Sequence, residues 1–208
     1  MGARAKTEER AAGFAELARR DSDFRATLER YGPPPSRKRP RGFETLLRAI
    51  VAQQVSVAAA TSIYGRVEAL ARPMSPESVL AIEVPALCAA GLSRMKADYA
   101  HDLARASLDG RLDFRRIARL DESEAIDALT SVKGIGRWSA EIYLLFAEQR
   151  FDVMPIGDLA LQVAAQRMKA LRRRPTPKRL ERLAAAWKPW RGLAAEILWH
   201  YYKHAPVL

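Results

Sequence analysis

Apolar residues recur along this chain with the period of a helix almost throughout. Phe14, Leu17, Ala18, Phe24 and Leu28 predict two short N-terminal helices. From Phe43 the signal strengthens: Phe43, Leu46, Leu47, Ile50 and Val51 form one face, Gln53-Gln54 interrupts it, and Val57 to Leu70 resumes as an Ala-rich helix. The stretch SPESVL (75–80) puts a serine where a hydroxyl can take an orphan N–H, and a proline where a missing N–H costs nothing. Gly91 closes the next helix, Lys96 to Leu108 gives another, and Asp121 with Glu124 has the form of a capping box. Thr176-Pro177 starts a late helix, and Leu193 to Tyr202 completes the pattern. Neither a strand pair nor a repeat emerges, so the predicted class is all-α.

The main break in this pattern is PPPSRKRPRG (33–42), a basic linker too rich in proline to be helical, read as a solvated surface tether. It contributes to a strong charge imbalance. The 208 residues carry 35 Lys and Arg against 24 Asp and Glu, a net charge of +11. Such a balance suits a nucleic-acid partner, although a generally basic soluble protein has it too. The single cysteine, Cys88, cannot build a disulfide framework, a zinc site or an iron–sulfur cluster, and its Ala-rich setting predicts a buried structural thiol. No run of 18 apolar residues occurs, and MGARAKTEERAAG lacks the apolar stretch of a signal peptide. A cytoplasmic protein with no membrane partner is expected.

One stretch raises a chemical question. In LTSVKGIGRWSA (129–140), an apolar run ends near Val132, Lys133-Gly134-Ile135-Gly136 makes a turn, and a helix starts near Arg137. The two glycines permit a close approach of backbone to another helix, to a nucleotide phosphate or to DNA. The second helix's N-terminus would favour an anion, and Lys133 and Arg137 add formal charge. Further on, the hairpin helix is expected to end near Gln149-Arg150, after which FDVMPIGDLALQVA (151–164) places Asp158 just before a new apolar run. Taken alone, Asp158 is a good N-cap residue.

Taken together, the hairpin and an Asp-Leu pair beginning 22 residues after its second glycine resemble the helix–hairpin–helix Gly/Pro…Asp DNA glycosylases. The chain is similar to the 3-methyladenine DNA glycosylase II (AlkA-like) branch. FETLLRAIVAQQVSVAAATSI (43–63), GLSRMKADYAHDLA (91–104) and WKPWRGLAAEILWHYY (187–202) also match, so the resemblance covers residues 43 to 202. It implies two helical lobes flanking a cleft, in a compact form without the extra N-terminal β domain. It further implies 1–42 as N-terminal helices and linker packing with the C-terminal lobe, 43–150 as a central lobe carrying the hairpin, and 151–208 as the aspartate loop and C-terminal helices.

The same resemblance suggests roles. Asp158 falls on the catalytic aspartate, with Gly157 at the variable position before it. Lys133, Gly134, Ile135, Gly136 and Arg137 would contact DNA, with Gln53 and Gln54, the latter at the position of the residue inserted on base flipping. Trp138, Trp199 and Ile142 fall on base-pocket positions, with Ile142 replacing a pocket tyrosine; Trp187 and Trp190 are expected to be packing. Trp138 also stands where bifunctional relatives keep a lyase lysine, which implies a monofunctional enzyme. No cofactor is required, and a structural Na⁺ or K⁺ would lie on the main-chain carbonyls of Thr130, Val132 and Ile135.

His101 lies on a helix far from the motif, and solvated or packing roles are expected for it, His200 and His204. The expected partner is double-stranded DNA carrying alkylated purines such as 3-methyladenine and 7-methylguanine. A monomer is expected, cytoplasmic, bacterial-type and nucleoid-associated through DNA. Two other readings stay open: a non-catalytic helix–hairpin–helix DNA-binding protein, and a glycosylase for another lesion such as hypoxanthine or uracil.

Overall fold

The structure, a computed structural model, describes residues 3–205, and every regular element among them is helical. The chain divides into two compact units, one made of Met1–Lys38 with Leu144–Leu208 and the other of Arg39–Tyr143. The expected breaks were after 42 and after 150. Local bonds explain the shift. Arg10 donates to the carbonyls of Pro34 and Pro35, holding the start of the linker to the first unit. The backbone N–H of Gly42 donates to the Tyr143 hydroxyl within the second. The linker is therefore anchored at both ends, with Pro34 buried and residues 35 to 41 exposed.

In the unit Arg39–Tyr143, α3 (Phe43–Val51) buries every residue of the predicted apolar face, and α4 (Val57–Leu70) follows after a short loop, capped by Ser56. Next come α5 (Pro76–Leu80) and α6 (Val84–Ala89), the first capped by Ser75 as predicted. Gly91 then adopts a positive φ of 106°, and the Leu92 N–H reaches back to the Leu87 carbonyl, ending α6 in a left-handed cap. The helix α7 (Arg94–Leu108), capped by Ser93, packs against α3, α5 and α6 and buries Ala97, Ala100, Leu103 and Ala104. A one-turn helix, α8 (Phe114–Ile117), was not foreseen; four residues are too few to show a periodic face, although Asp113 caps it. The capping box of Asp121 and Glu124 is formed at the start of α9 (Glu122–Thr130). The helix α10 (Arg137–Phe146) begins in this unit.

α10 stops at Phe146, short of the expected Gln149-Arg150, because Gln149 takes a left-handed φ of 54° and the Arg150 N–H turns back to the Leu144 carbonyl. The other unit is organised on α13 (Arg191–His204), where every residue from Gly192 to His200 is buried. A helix apolar on nearly all sides belongs at a centre. Against it pack α1 (Ala3–Arg20), longer than the short helix expected, α2 (Ser22–Tyr31) and α11 (Leu159–Met168). α12 (Pro177–Ala184) packs on α11 and leads into a 3-10 turn ending at Trp187.

Two ionic nodes tie the ends of the chain into this unit. Asp21 accepts from Lys169 Nζ and from the Trp187 indole N–H, at 2.5 and 3.1 Å. Burial raises the Asp21 pKa, but Lys169 and Trp187 outweigh it and hold the carboxyl below its ordinary value. Glu196 on α13 accepts from Arg10; burial there wins and its pKa is raised. Trp187 also meets Phe24, with ring centroids 5.0 Å apart, and the Trp190 ring fills the space beside Gly13. Both tryptophans are thus packing residues. Cys88 is half-buried rather than buried, on the short α6.

Candidate active site and nucleic-acid interface

The turn between α9 and α10 is built as the spacing predicted. Gly134 has a φ of +86°, a conformation that favours glycine, and a Cβ there would overlap the Tyr99 ring of α7. Gly136 has no such need: its φ is not positive and a Cβ would meet nothing within 4 Å. The two glycines therefore do different things. Gly134 lets the turn press against α7, whereas Gly136 leaves the outer side of the turn open. The Ile135 N–H donates to the Val132 carbonyl at 3.1 Å, closing the turn. Ile135 itself is buried at 3% exposure, so its side chain anchors the turn while its backbone lies in it.

Side chains from elsewhere fix this turn. Asp102 on α7 accepts the backbone N–H of Lys133 at 2.9 Å. The Gln53 amide donates to the Gly134 carbonyl at 2.8 Å. Gln53, an expected DNA contact, thus braces the hairpin with one N–H of its amide and is half-buried. Gln54, next to it, is exposed with a φ of 54°, at the tip of the loop between α3 and α4. His101, expected far from the motif, sits beside Asp102 on the bracing helix; it is buried and its Nε2 lies 2.9 Å from the Ile82 carbonyl, a packing role.

Tyr99, Asp102 and Lys96 carried no signal of their own. They lie within GLSRMKADYAHDLA, a stretch whose match had no role attached.

On the first turn of α10, Arg137 has its Nε held by Glu141 at 2.9 Å while its side chain stays 67% exposed. Glu141 is buried, and burial raises its pKa against the opposing effect of Arg137. Trp138 is half exposed, an unusual cost for an indole, while Ile142 four residues on is buried. Lys133 is exposed. With the Lys133 and Ile135 N–H groups bonded internally, the turn presents a helix N-terminus and two cationic side chains, features that receive a phosphate.

The second constellation belongs to the other unit. Asp158 is the N-cap of α11, and its Oδ1 accepts the Leu161 N–H at 2.9 Å. The indole N–H of Trp199, on α13, donates to the same oxygen at 3.3 Å. Both readings of Asp158 therefore have structural content: it caps a helix, and it is in direct contact with the tryptophan expected in the base pocket. Trp199 is buried, 6.0 Å between ring centroids from Phe146, and the Arg37 guanidinium of the linker lies 5.5 Å over its ring.

The turn that delivers Asp158 is held by several hydrogen bonds. Asp152 accepts from the Arg191 backbone N–H and from two nitrogens of its guanidinium, at 2.7 to 3.0 Å. The Gly192 N–H donates to the Phe151 carbonyl, and a Cβ on Gly192 would strike the Phe151 and Val153 carbonyls. Gln162 of α11 donates to the Ile156 carbonyl, and the Asp158 N–H to that of Pro155.

Two kinds of comparison bear on these constellations. Residues 47–190 match the family described as HhH-GPD superfamily base excision DNA repair protein. The chain is 32% identical over 179 residues to DNA-3-methyladenine glycosylase 1 of Schizosaccharomyces pombe, covering 84% of this chain and 78% of that protein. Among solved structures, a DNA-3-methyladenine glycosidase from Bacillus halodurans superposes with a TM-score of 0.82 at 33% identity, covering 90% of this chain and 87% of that one. A Schizosaccharomyces pombe 3-methyladenine DNA glycosylase in complex with abasic DNA gives 0.84 at 28% identity, covering 95% and 99%. The family match takes in the whole hairpin, its braces on α7 and Asp158, so the chain belongs to the HhH-GPD superfamily of base excision DNA repair proteins.

Proposed function

We propose that this protein is a monofunctional DNA glycosylase that removes alkylated purines, 3-methyladenine and 7-methylguanine, from double-stranded DNA and leaves an abasic site. The observation that carries this reading is the contact between Asp158 and Trp199, a carboxylate fixed by a helix cap and by an indole N–H. The names of the relatives point the same way.

The chemistry asks little else of the protein. N3- or N7-methylation leaves the purine cationic and already a good leaving group, so no strong general acid is required. As the C1′–N bond breaks, the electron pair leaves with the base and the sugar gains oxocarbenium character. The Asp158 carboxylate stabilises that charge and orients the water that adds at C1′, whose surplus proton passes to solvent. A cationic base also stacks well on an electron-rich indole face such as that of Trp199 beside Asp158. Because Trp138 stands where a lyase would place its lysine, no amine at that position attacks the sugar.

The hairpin supplies grip. The N-terminus of α10 and the side chains of Lys133 and Arg137 receive phosphates, and Gln54 inserts where the base has left. The carbonyls of Thr130, Val132 and Ile135 would hold a monovalent cation; Val132's oxygen already accepts the Ile135 N–H and keeps a second lone pair for that purpose. Such a cation would add charge facing a phosphate. The protein acts on one lesion as a monomer.

Chromatography of the bases released from N-methylated DNA tests the reading. Free 3-methyladenine and 7-methylguanine are expected from the wild type, and about 10²-fold slower release from Asp158→Asn, the scale of one preorganised electrostatic group. DNA that is bound but yields neither base overturns the substrate, and unchanged release by Asp158→Asn overturns the role of the carboxylate.

A further inference from the structure

The loop that carries Gln54 and the hairpin turn are not independent. Both rest on α7. Lys96, on its first turn, is 9% exposed, and its ammonium donates to the carbonyls of Val51 and Gln53 at 2.8 and 2.5 Å. Val51 is the last residue of α3, so the ammonium sits at the negative end of that helix and satisfies its terminal carbonyl together with that of Gln53 in the loop beyond. Burial alone lowers the Lys96 pKa, a cost that a surface lysine does not meet. One turn further along α7 Tyr99 packs under Gly134, and a turn beyond that Asp102 holds the Lys133 N–H. The ring closes through Gln53, whose main-chain carbonyl is held by Lys96 and whose side-chain amide holds the hairpin at Gly134. Gln54, with its left-handed φ, projects from the residue so fixed.

We infer that Lys96 is a positioning residue for base flipping: through Gln53 it sets the Gln54 loop in register with the hairpin that grips the backbone. This rests on the glycosylase reading above but concerns the extrusion of the base, not the chemistry at Asp158. A buried lysine chosen only for stability would be replaceable by an apolar side chain of similar length without a selective effect on extrusion. A positioning lysine would not. Its loss should matter most where the duplex resists opening, and least where a mismatch has already weakened pairing.

The test uses Lys96→Met, Lys96→Arg and Gln53→Met in the full chain, with two readouts. The first is the fluorescence of 2-aminopurine beside or at the target position of a duplex, which reports unstacking without any excision. The second is the single-turnover release rate of a methylated purine in a matched and in a mismatched pair.

Lys96→Met is expected to lose most of the fluorescence rise and to shift the mismatched-to-matched rate ratio upward by about tenfold. Lys96→Arg, which keeps the cation, should restore much of both. Gln53→Met, which leaves Lys96 in place and cuts only the tie, should shift the ratio by about threefold, and it decides the question if Lys96→Met does not fold. Equal losses on the two substrates, or no change in either readout, would overturn the inference. So would a wild type that gives no fluorescence rise on any duplex. Fluorescence that responds as expected while no methylated base is released by the wild type would overturn the glycosylase reading and leave this one standing.

Discussion

Two turns carry the proposed function, and they are built on opposite principles. The hairpin turn at 133–136 offers backbone, and nearly everything that holds it comes from outside: Asp102 and Tyr99 on α7, and Gln53 from the loop after α3. The turn at 152–158 offers a side chain, and much of what holds it is local. Asp158 caps its own helix, Gln162 of that helix bonds the Ile156 carbonyl, the Ile156 and Asp158 N–H groups bond within the segment, and the Val153 N–H bonds the nearby Arg150 carbonyl. From afar it is reached by Arg191 and Trp199, both on α13. A backbone ligand survives changes in its own side chains but depends on its braces. A side-chain ligand depends on one residue and tolerates much around it.

The two turns' glycines break the comparison if it is wrong. Gly134→Ala forces a left-handed φ on a residue with a Cβ and drives that Cβ into the Tyr99 ring. A cost of about 2 kcal/mol in stability is expected, within the range for such strain, with a clear loss of duplex affinity. Gly157→Ala adds a Cβ that meets nothing within 4 Å at an ordinary φ, and should stay within about 0.5 kcal/mol. Urea unfolding of both variants checks the pair. Equal effects would mean that the hairpin is no more dependent on its brace than the other turn.

Next in size is Trp199→Phe. It keeps an aromatic body beside Phe146 but removes the N–H that reaches Asp158. A hydrogen bond to a charged group is worth roughly 1.5–3 kcal/mol, and the Leu161 N–H still holds the same oxygen, so a loss of about tenfold in single-turnover excision is expected. Affinity for undamaged duplex should not move. An unchanged rate would show that the helix cap alone aligns the carboxylate.

The contrast also explains what the sequence disclosed. The Asp158 turn was legible because its logic is local: proline and glycine break the chain, and an aspartate precedes an apolar run, so the N-cap could be named from neighbours. The hairpin's outline was legible for the same reason, two glycines between helical patterns. Its braces were not. Asp102 and Tyr99 are ordinary helix residues until the fold brings them under the turn, and Gln53 read as a DNA contact because nothing adjacent in the chain shows its amide reaching Gly134. Lys96 was the hardest to see, since a lysine early in a helix usually marks a solvated face, whereas here it is buried against two carbonyls. α8 leaves no mark in the sequence because one turn has no period, and α10 is shorter than its apolar pattern because the chain turns at a left-handed glutamine, not at a glycine.

The smallest expected effect concerns Lys133, and it isolates backbone from side chain within the hairpin itself. Its N–H is held by Asp102, so the conformation of the turn does not depend on the ammonium, which is exposed. Lys133→Gln removes one positive charge and leaves the amides in place. Each phosphate neutralised releases counterion, so the slope of log affinity against log salt should become shallower by about 0.9. Affinity at physiological salt should fall only a few-fold, without a change in which bases are released, because a phosphate contact carries no base information. Fluorescence anisotropy on an undamaged duplex across a salt series measures both quantities. A slope that does not change would mean that Lys133 neutralises no phosphate, leaving Arg137 and the helix N-terminus to supply the charge.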